Sequence, residues 1–185
     1  MGYALAEECA NEGADVILVS GPVSLILSHP NIQIINVNTA EQMFNACMKN
    51  FLSCHAAILS AAVADFTPEI TYTDKIKRGK DDIEFRMKPT KDIAAELGKL
   101  KKKDQILAGF ALESQDELAN AIGKLKRKNF DFIMLNSVRE AGAGFGVDTN
   151  KITIVDKYNI IDKFELKSKK KVAVDIIKKL TDMLV

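Results

Sequence analysis

The chain has 185 residues, of which 47% are hydrophobic and 28% are charged, and its formal net charge is +1. This length and composition are typical of one globular domain with a core of its own. The near-neutral charge gives no overall reason to expect nucleic acid or an acidic membrane surface as a partner. No apolar run has the length of a membrane span, and the first residues lack the pattern of a signal peptide.

The three cysteines are odd in number and none is in CxxC spacing: Cys9, Cys47 and Cys54. We interpret them as small hydrophobic residues in a reducing compartment, so the sequence predicts a cytoplasmic protein. His29 and His55 have no cysteine or carboxylate cluster at ligand spacing, and a zinc site is therefore not expected.

Helices and buried strands alternate in the first part of the chain. The predicted elements are a helix over 1–12, strands over 16–19 and 32–37, a helix from Thr39 to about Lys49, and a strand over 56–63. The Thr39 to Gln42 segment has the pattern of a capping box. A nucleotide-binding βαβ unit normally opens with a strand, so we expect that the chain begins inside such a unit.

Residues 68–88 interrupt this rhythm and predict an inserted antiparallel arm. Ile70–Tyr72 and Ile83–Met87 are short strand-like pieces on either side of the cationic run from Lys75 to Lys80. A Lys/Arg run is by default a solvated loop. The strand before the arm ends near Asp65 and Pro68, and open α/β sheets bind ligands where their strands end.

The second part of the chain returns to helices and strands. The predictions are a helix starting near Thr90 as N-cap, a strand over 106–111, a helix after a capping box at Ser114–Glu117, strands over 131–135, 152–155 and 164–166, and a helix over 172–184. The glycine-rich loop over 141–146 precedes a strand rather than a helix, so no phosphate cradle is predicted there.

These elements predict an α/β fold as one domain over residues 1–185. We expect a three-layer, Rossmann-like, mostly parallel sheet with helices on both faces and the inserted antiparallel β arm. Lys124 and Lys128 lie four residues apart on a predicted helix and repel each other mildly unless an anion lies between them. Solvation at a helix C-terminus, where cations are favoured anyway, is the preferred explanation from this spacing alone.

Several motifs occur along the chain in an order and spacing that resemble one family. This family is the bacterial CTP-using phosphopantothenoylcysteine synthetases, also called phosphopantothenate–cysteine ligases. The resemblance covers essentially the whole chain. Its motifs are Met1-Gly2-Tyr3-Ala4-Leu5-Ala6, Ser20-Gly21-Pro22-Val23, Ser60-Ala61-Ala62-Val63-Ala64-Asp65-Phe66, Lys75-Ile76-Lys77, Gly109-Phe110-Ala111-Leu112-Glu113, Lys124 with Lys128, and Gly144-Phe145-Gly146-Val147-Asp148-Thr149-Asn150.

The resemblance implies a ligation in coenzyme A biosynthesis. The carboxylate of 4'-phosphopantothenate attacks the α-phosphate of CTP, with Mg²⁺ present, and pyrophosphate leaves. The amine of cysteine then displaces CMP from the acyl-cytidylate to form an amide. A homodimer assembled through sheet edges and arms is also implied. Many bacterial members are fused behind a flavin-dependent decarboxylase, but no segment of this chain resembles that decarboxylase or a flavin site.

The resemblance also implies roles for individual residues. Lys75 matches the essential lysine, on an arm that would close over the phosphates. The positions matching the CTP contacts are Leu59, Ser60, Ala61, Asp65, Lys91, Asp92, Ile93, Ala94, Phe110, Lys124 and Lys128. Lys91 stands where the family has a proline. No metal ligands are implied.

One family segment has no counterpart in the printed sequence. In the family, a strand, an arginine and an asparagine followed by a Ser-Ser-Gly-Lys turn come before the position of Met1. That asparagine handles the acyl-cytidylate, and the turn helps to hold the phosphopantothenate phosphate. We therefore expect the 185-residue chain to be weakly active or inactive as a ligase while still able to bind CTP.

Two other interpretations remain open. A dinucleotide-dependent reductase on a similar sheet would carry GxGxxG after its first strand and a YxxxK pair, whereas Tyr72 and Lys75 are one residue too close. A non-catalytic interaction domain would need only the fold. Nucleotide titration distinguishes the three, because a ligase prefers CTP, a reductase prefers NADP, and an interaction domain binds neither.

Overall fold

The computed structural model describes residues 1–70, 72, 74–78, 83–113, 116–137 and 147–184. Within these ranges the chain forms five helices and eleven strands. In chain order they are α1 (Gly2–Asn11), β1 (Val16–Ser20), β2 (Ile32–Asn36), α2 (Ala40–Phe51), β3 (Ala56–Leu59), β4 (Phe66–Pro68), β5 (Met87–Pro89), α3 (Ile93–Leu100), β6 (Ile106–Glu113), α4 (Glu117–Arg127), β7 (Phe132–Ser137), β8 (Thr149–Asn150), β9 (Ile152–Asp156), β10 (Ile161–Lys163), β11 (Lys167–Ser168) and α5 (Lys169–Leu184).

The main sheet has five strands in the order β10-β9-β7-β6-β3. β3, β6 and β7 are parallel, and β9 and β10 continue the sheet in antiparallel pairing. β1 and β2 form a separate parallel pair, and β4 pairs with β5 antiparallel. The predicted α/β class with a mostly parallel sheet is confirmed.

Helices cover both faces of the main sheet. Side chains alternate along β6, so Ala108 packs in one core with α1 and α5, while Leu107 packs in the other with α3 and α4. Leu5 and Ile176 belong to the first core and Leu97 to the second. Because both faces are buried, the strands are continuous apolar runs rather than alternating ones. This gives the three predicted layers.

The start of α1 lies near the carboxyl ends of both β1 and β3. The hydroxyl oxygen of Tyr3 is 3.0 Å from Oγ of Ser20, at the end of β1. A Cβ added to Gly2 would lie 2.9 Å from Oγ of Ser60, which follows β3. Among the described residues, β1 pairs only with β2 and β3 pairs only with β6, so no backbone pairing joins the two sheets. α1 therefore links the β1–β2 pair to the main sheet.

The buried strand predicted over 56–63 is wrong in length and in burial. β3 ends at Leu59, and all four of its residues are only half-buried. Its position at the edge of the main sheet explains this burial, since just one side of the strand is covered by a neighbour.

One predicted helix start is also wrong, and another falls on residues that the structure does not describe. Asp92, and not Thr90, is the N-cap of α3. α4 starts after Asp116, whose φ of 45° places it in the left-handed region and whose side chain makes no capping hydrogen bond. Ser114, the proposed cap of that helix, lies outside the described residues.

The strand pieces predicted in the arm and near the C-terminus are displaced. The antiparallel pairing joins β4 to β5 at the base of the arm, so only Met87 falls within a predicted strand piece. The strand predicted over 164–166 is replaced by β10 and β11, which flank it. β10 pairs with β9 around a turn closed by Asp156, and this turn sets the register. The glycine-rich loop over 141–146 lies outside the described residues.

A buried carboxylate joins four elements at the amino end of β7. Asp131 is 2% exposed and accepts a 2.8 Å hydrogen bond from the backbone N–H of Leu107. The ammonium groups of Lys101 and Lys157 each lie 2.9 Å from its oxygens. Burial raises the pKa of this carboxyl, but the hydrogen bonds and positive charges around it outweigh burial and hold the pKa below its ordinary value.

We expect Asp131→Ala to destabilise the protein by roughly 3 kcal/mol at pH 7, because it removes the carboxylate that neutralises the largely buried Lys101 ammonium and accepts from the Leu107 N–H. Since the folded pKa is lowered, this contribution is present above the ordinary carboxyl pKa and is lost as the pH falls through the folded value. Urea unfolding at several pH values measures both effects. Asp104→Ala, at an exposed carboxylate, is the control, and equal losses in the two variants would refute the role.

Candidate functional site

The candidate site lies at the carboxyl ends of β3 and β6. Leu59, the last residue of β3, pairs with Gly109, so Ser60 follows at the level of Phe110. Ser60 is half-buried and Ala61 is exposed. The chain then leaves the sheet through Asp65, which is also exposed, and enters β4. These candidate residues therefore line the edge where parallel sheets hold ligands.

Thr90 ties the two ends of the arm together. Its hydroxyl donates a 2.7 Å hydrogen bond to the carbonyl of Ala64, and its backbone N–H donates a 2.9 Å bond to the carbonyl of Asp65. The residue interpreted from the sequence as a helix cap thus holds the 60–65 loop beside the start of α3.

The N-terminus of α3 carries the next group of candidates. Oδ1 of Asp92 accepts a 2.9 Å hydrogen bond from the backbone N–H of Ala95 and so caps the helix. Ile93 is buried and anchors the first turn in the core, while Ala94 is half-buried. A fixed helix N-terminus is a favourable neighbour for an anion.

Lys124 of α4 reaches β6, and Lys128, directly after α4, reaches this helix start. The ammonium of Lys128, whose side chain is 19% exposed, forms an ion pair with Oδ2 of Asp92. The ammonium of Lys124 donates a 3.2 Å hydrogen bond to the carbonyl of Phe110. The Asp92 carboxylate and the Phe110 carbonyl therefore offset the mutual repulsion of the two ammonium groups. The sequence alone allowed either solvent or a bound anion in this role.

The titration of Asp92 reflects this arrangement. Partial burial raises the pKa of its carboxyl, but the hydrogen bonds from Lys128 and Ala95 and the charges of Lys128 and Lys124 lower it below its ordinary value. The contribution of Lys124 shows that both ammonium groups act on the same carboxylate. Asp92, Phe110, Lys124 and Lys128 thus form one cluster, which we call the lysine cluster.

Two other predicted side chains lie apart from the lysine cluster. Lys75 is exposed on the arm, and within the described part of the chain no hydrogen bond or ion pair joins it to another candidate. The ammonium of Lys91 lies 3.7 Å from Oε1 of Glu41 and 4.8 Å from the ring centroid of Phe44, so it faces α2. Their roles remain predictions.

The described residues offer no protein cage for the Mg²⁺ that the resemblance implies. They contain no group of three or more histidine, cysteine, aspartate or glutamate side chains placed to hold a metal ion. We therefore assign no metal ligand among them. Within the same ranges, no helix has both the length and the apolar composition needed to cross a membrane.

Comparison with known proteins gives the family. Residues 1–184 match the family described as the C-terminal domain of DNA/pantothenate metabolism flavoproteins. The chain belongs to this family. The family resemblance found in the sequence is confirmed.

Curated relatives of this flavoprotein C-terminal domain are longer proteins. One, a cysteine/cysteine sulfinic acid decarboxylase from an unknown prokaryotic organism, is 56% identical over 184 residues, which are 100% of this chain and 51% of the relative. The coenzyme A biosynthesis bifunctional protein CoaBC of Bacillus subtilis (strain 168) is 43% identical over 180 residues, covering 97% of this chain and 44% of that protein. The chain therefore spans about half the length of these relatives.

Solved structures share the fold. The crystal structure of the C-terminal domain of CoaBC is 36% identical, with a TM-score of 0.81, and the match covers 99% of this chain and 83% of that one. A complex of Cab2 with phosphopantothenate-cysteine is 15% identical with a TM-score of 0.70, covering 99% of this chain and 78% of that one. At 15% identity this second likeness supports the fold alone.

We expect Lys128→Met to raise the pKa of Asp92 toward its ordinary value, because the substitution removes the ammonium that stabilises the carboxylate. Carbon-detected NMR of the Asp92 carboxyl across a pH titration measures this. Lys126→Met is the matched control, since Lys126 is exposed near the end of the same helix. An unchanged Asp92 titration in Lys128→Met would show that the ion pair does not form in solution.

Proposed function

We propose that this domain binds CTP and ligates phosphopantothenate to cysteine through an acyl-cytidylate. The observation that carries the proposal is the lysine cluster, where the Lys128 ammonium pairs with Asp92 at the N-terminus of α3 and the Lys124 ammonium bonds the carbonyl of Phe110. The cluster lies beside the carboxyl end of β3, the usual ligand edge of such a sheet. Family membership over residues 1–184 supports the same assignment.

The chemistry requires cations at this edge. A carboxylate and a nucleoside triphosphate are both anions, so the attack on the α-phosphorus needs positive charge that is already in position. Carboxylate oxygen forms a bond to phosphorus while the bond to pyrophosphate breaks. In the second step the cysteine amine forms a bond to the acyl carbon, the bond to the CMP oxygen breaks, and the amine loses a proton.

Each candidate has a role in this proposal. Lys124 and Lys128 hold the triphosphate, while the backbone at Leu59, Ser60 and Ala61 supports the nucleotide together with Asp65. The turn from Lys91 to Ala94 completes that surface, and Phe110 supports it through its carbonyl, since its ring packs in the core with α1 and α5. Lys75 acts as the catalytic lysine when the arm closes, stabilising the negative charge that develops on the phosphates and excluding water from the mixed anhydride.

The decarboxylase name of one relative belongs to a protein of about twice this length, of which the match covers 51%. We assign the ligation to this domain because its candidate residues suit a nucleotide. A flavin-dependent decarboxylase, fused or associated, is then the proposed partner that consumes the product. Mg²⁺ would arrive with the triphosphate, since it is commonly bound through phosphate oxygens and water.

We expect Lys124→Ala and Lys128→Ala each to weaken CTP binding roughly tenfold or more, because each removes a charge-assisted hydrogen bond to phosphate. Isothermal titration of the purified chain measures this without requiring turnover. Lys126→Ala is the matched control, since it removes an exposed lysine of the same helix turn. Equal weakening of CTP binding in all three variants would contradict direct phosphate contacts, because it would show that only the net charge of the protein matters.

The choice of nucleotide tests the proposed function itself. Wild type is expected to prefer CTP over ATP and NADP in the same titration. Preference for NADP would favour a dinucleotide-dependent reductase, and binding of none of the three would favour a non-catalytic domain. Either outcome contradicts the proposal. Pyrophosphate release from CTP on addition of phosphopantothenate is expected to be weak in the 185-residue chain, lower still in Lys75→Ala, and unchanged in the control Lys77→Ala.

We also propose that the domain is a homodimer joined through the arm. Large apolar side chains are exposed along the arm and its base: Phe66, Ile70, Tyr72, Ile76, Ile83, Phe85 and Met87. Ile70 is 62% exposed and Phe85 is 54% exposed. Large apolar side chains exposed along one segment favour an interaction site there, and family resemblance favours a second copy as the occupant.

Ile70→Asp combined with Phe85→Asp is expected to halve the particle mass, because each substitution buries a charge at the proposed interface. Light scattering after size-exclusion chromatography measures the mass. Tyr158→Asp is the control, since Tyr158 is 70% exposed in the β9–β10 turn rather than on the arm. A wild-type monomer, or a dimer unaffected by the arm variant, would refute this assembly.

A further inference from the structure

The last turn of α3 packs directly against the backbone at the end of α4. Gly98 is buried, and a Cβ added to it would lie 2.9 Å from the carbonyl carbon of Lys128 and closer still to the carbonyl oxygen. Real side chains essentially never approach backbone this closely, so only glycine fits without displacing one of the helices. The main chain of Lys128 therefore rests on Gly98.

Hydrogen bonds from each helix end to the other hold the Lys128 backbone against Gly98. Asn129, with a φ of 54°, ends the helical course of α4, and its side-chain amide donates a 2.8 Å hydrogen bond to the carbonyl of Gly98. The ammonium of Lys101 donates a 2.7 Å bond to the carbonyl of Asn129. Two bonds thus bind the end of α3 to the end of α4, and the contact has a defined geometry.

A second glycine, Gly109 of β6, lets the segment from Lys128 to Phe130 pack closely against the sheet. A Cβ on Gly109 would lie 2.5 Å from Cζ of Phe130, so the buried Phe130 ring occupies the space that this glycine leaves in β6. The residues from Lys128 to Phe130 are therefore held between α3 and β6. Their position is set on one side by Gly98 and on the other by Gly109.

The consequence concerns the Lys128 side chain. Side chains on a helix point back toward its N-terminus, and here the Lys128 ammonium reaches Asp92 at the start of α3. Gly98 lies six residues after Asp92, about 9 Å along the axis of α3. The lysine side chain crosses part of that length, so an outward shift of the α4 end would draw its ammonium away from Asp92.

We infer that Gly98 is a positioning residue, whose missing side chain lets the end of α4 pack close enough for Lys128 to reach the nucleotide site. The identity of the ligand in this inference rests on the proposed function, whereas the geometry does not. Gly123 supplies a matched control within α4, because among the described residues a Cβ there would meet, apart from its own helix backbone, only Nη1 of Arg127, at 3.1 Å. That atom ends a flexible side chain and moves at little cost.

The experiment compares Gly98→Ala with Gly123→Ala. The first measurement is the NMR titration of the Asp92 carboxyl, which needs no ligand. Gly98→Ala is expected to raise the pKa of Asp92 in the same direction as Lys128→Met, and Gly123→Ala is expected to leave it unchanged. Asn129→Gly, which allows the left-handed backbone and removes only the amide bond to Gly98, is expected to give a smaller shift in the same direction.

The second measurement is CTP binding in a double-mutant cycle. Gly98→Ala is expected to weaken binding roughly tenfold in the wild-type background and less than twofold in a Lys128→Ala background. A purely structural loss would weaken binding equally in both backgrounds and would overturn the inference. An unshifted Asp92 titration in both Gly98→Ala and Asn129→Gly would also overturn it. If wild type binds no CTP while the titration shifts as expected, the proposed function fails and the positioning role stands.

Discussion

The ion pair between Asp92 and Lys128 is the interaction on which the candidate site depends. It joins the N-cap of α3 to the end of α4, two helices that pack on the same face of the sheet. Asp92 is fixed by its bond to Ala95, while Lys128 is fixed by the contact of its backbone with Gly98. A flexible surface pair would contribute little, but this one has both ends anchored by secondary structure.

Much of the fold was predictable because local patterns determine it. Apolar runs marked the buried strands of the main sheet, and Thr39 with Gln42 forms the predicted capping box at the start of α2. Where a pattern had two local solutions the prediction failed. Thr90 and Asp92 are both acceptable caps, and the hydrogen bonds from Thr90 to Ala64 and Asp65, far away in sequence, decide between them.

The site was predictable in its residues but not in its contacts. The spacing of Lys124 and Lys128 placed them on one helix face, yet no sequence rule pairs Lys128 with Asp92, 36 residues earlier. Gly98 resembles an ordinary helix-weakening glycine until the Lys128 backbone is seen against it. Lys91 departs from the family's proline, and its side chain turns away toward Glu41 and Phe44.

α3 is held by an aspartate–lysine pair at each end. Asp92 and Lys128 join at its start, and Lys101 reaches the buried carboxylate of Asp131 just after its last turn. Fraying from either end must therefore break an ion pair as well as backbone hydrogen bonds. In native-state hydrogen exchange, α3 should belong to the same slow cooperative unit as β6 and β7, although it is only eight residues long. A short helix of this kind then serves as a rigid support beside the arm.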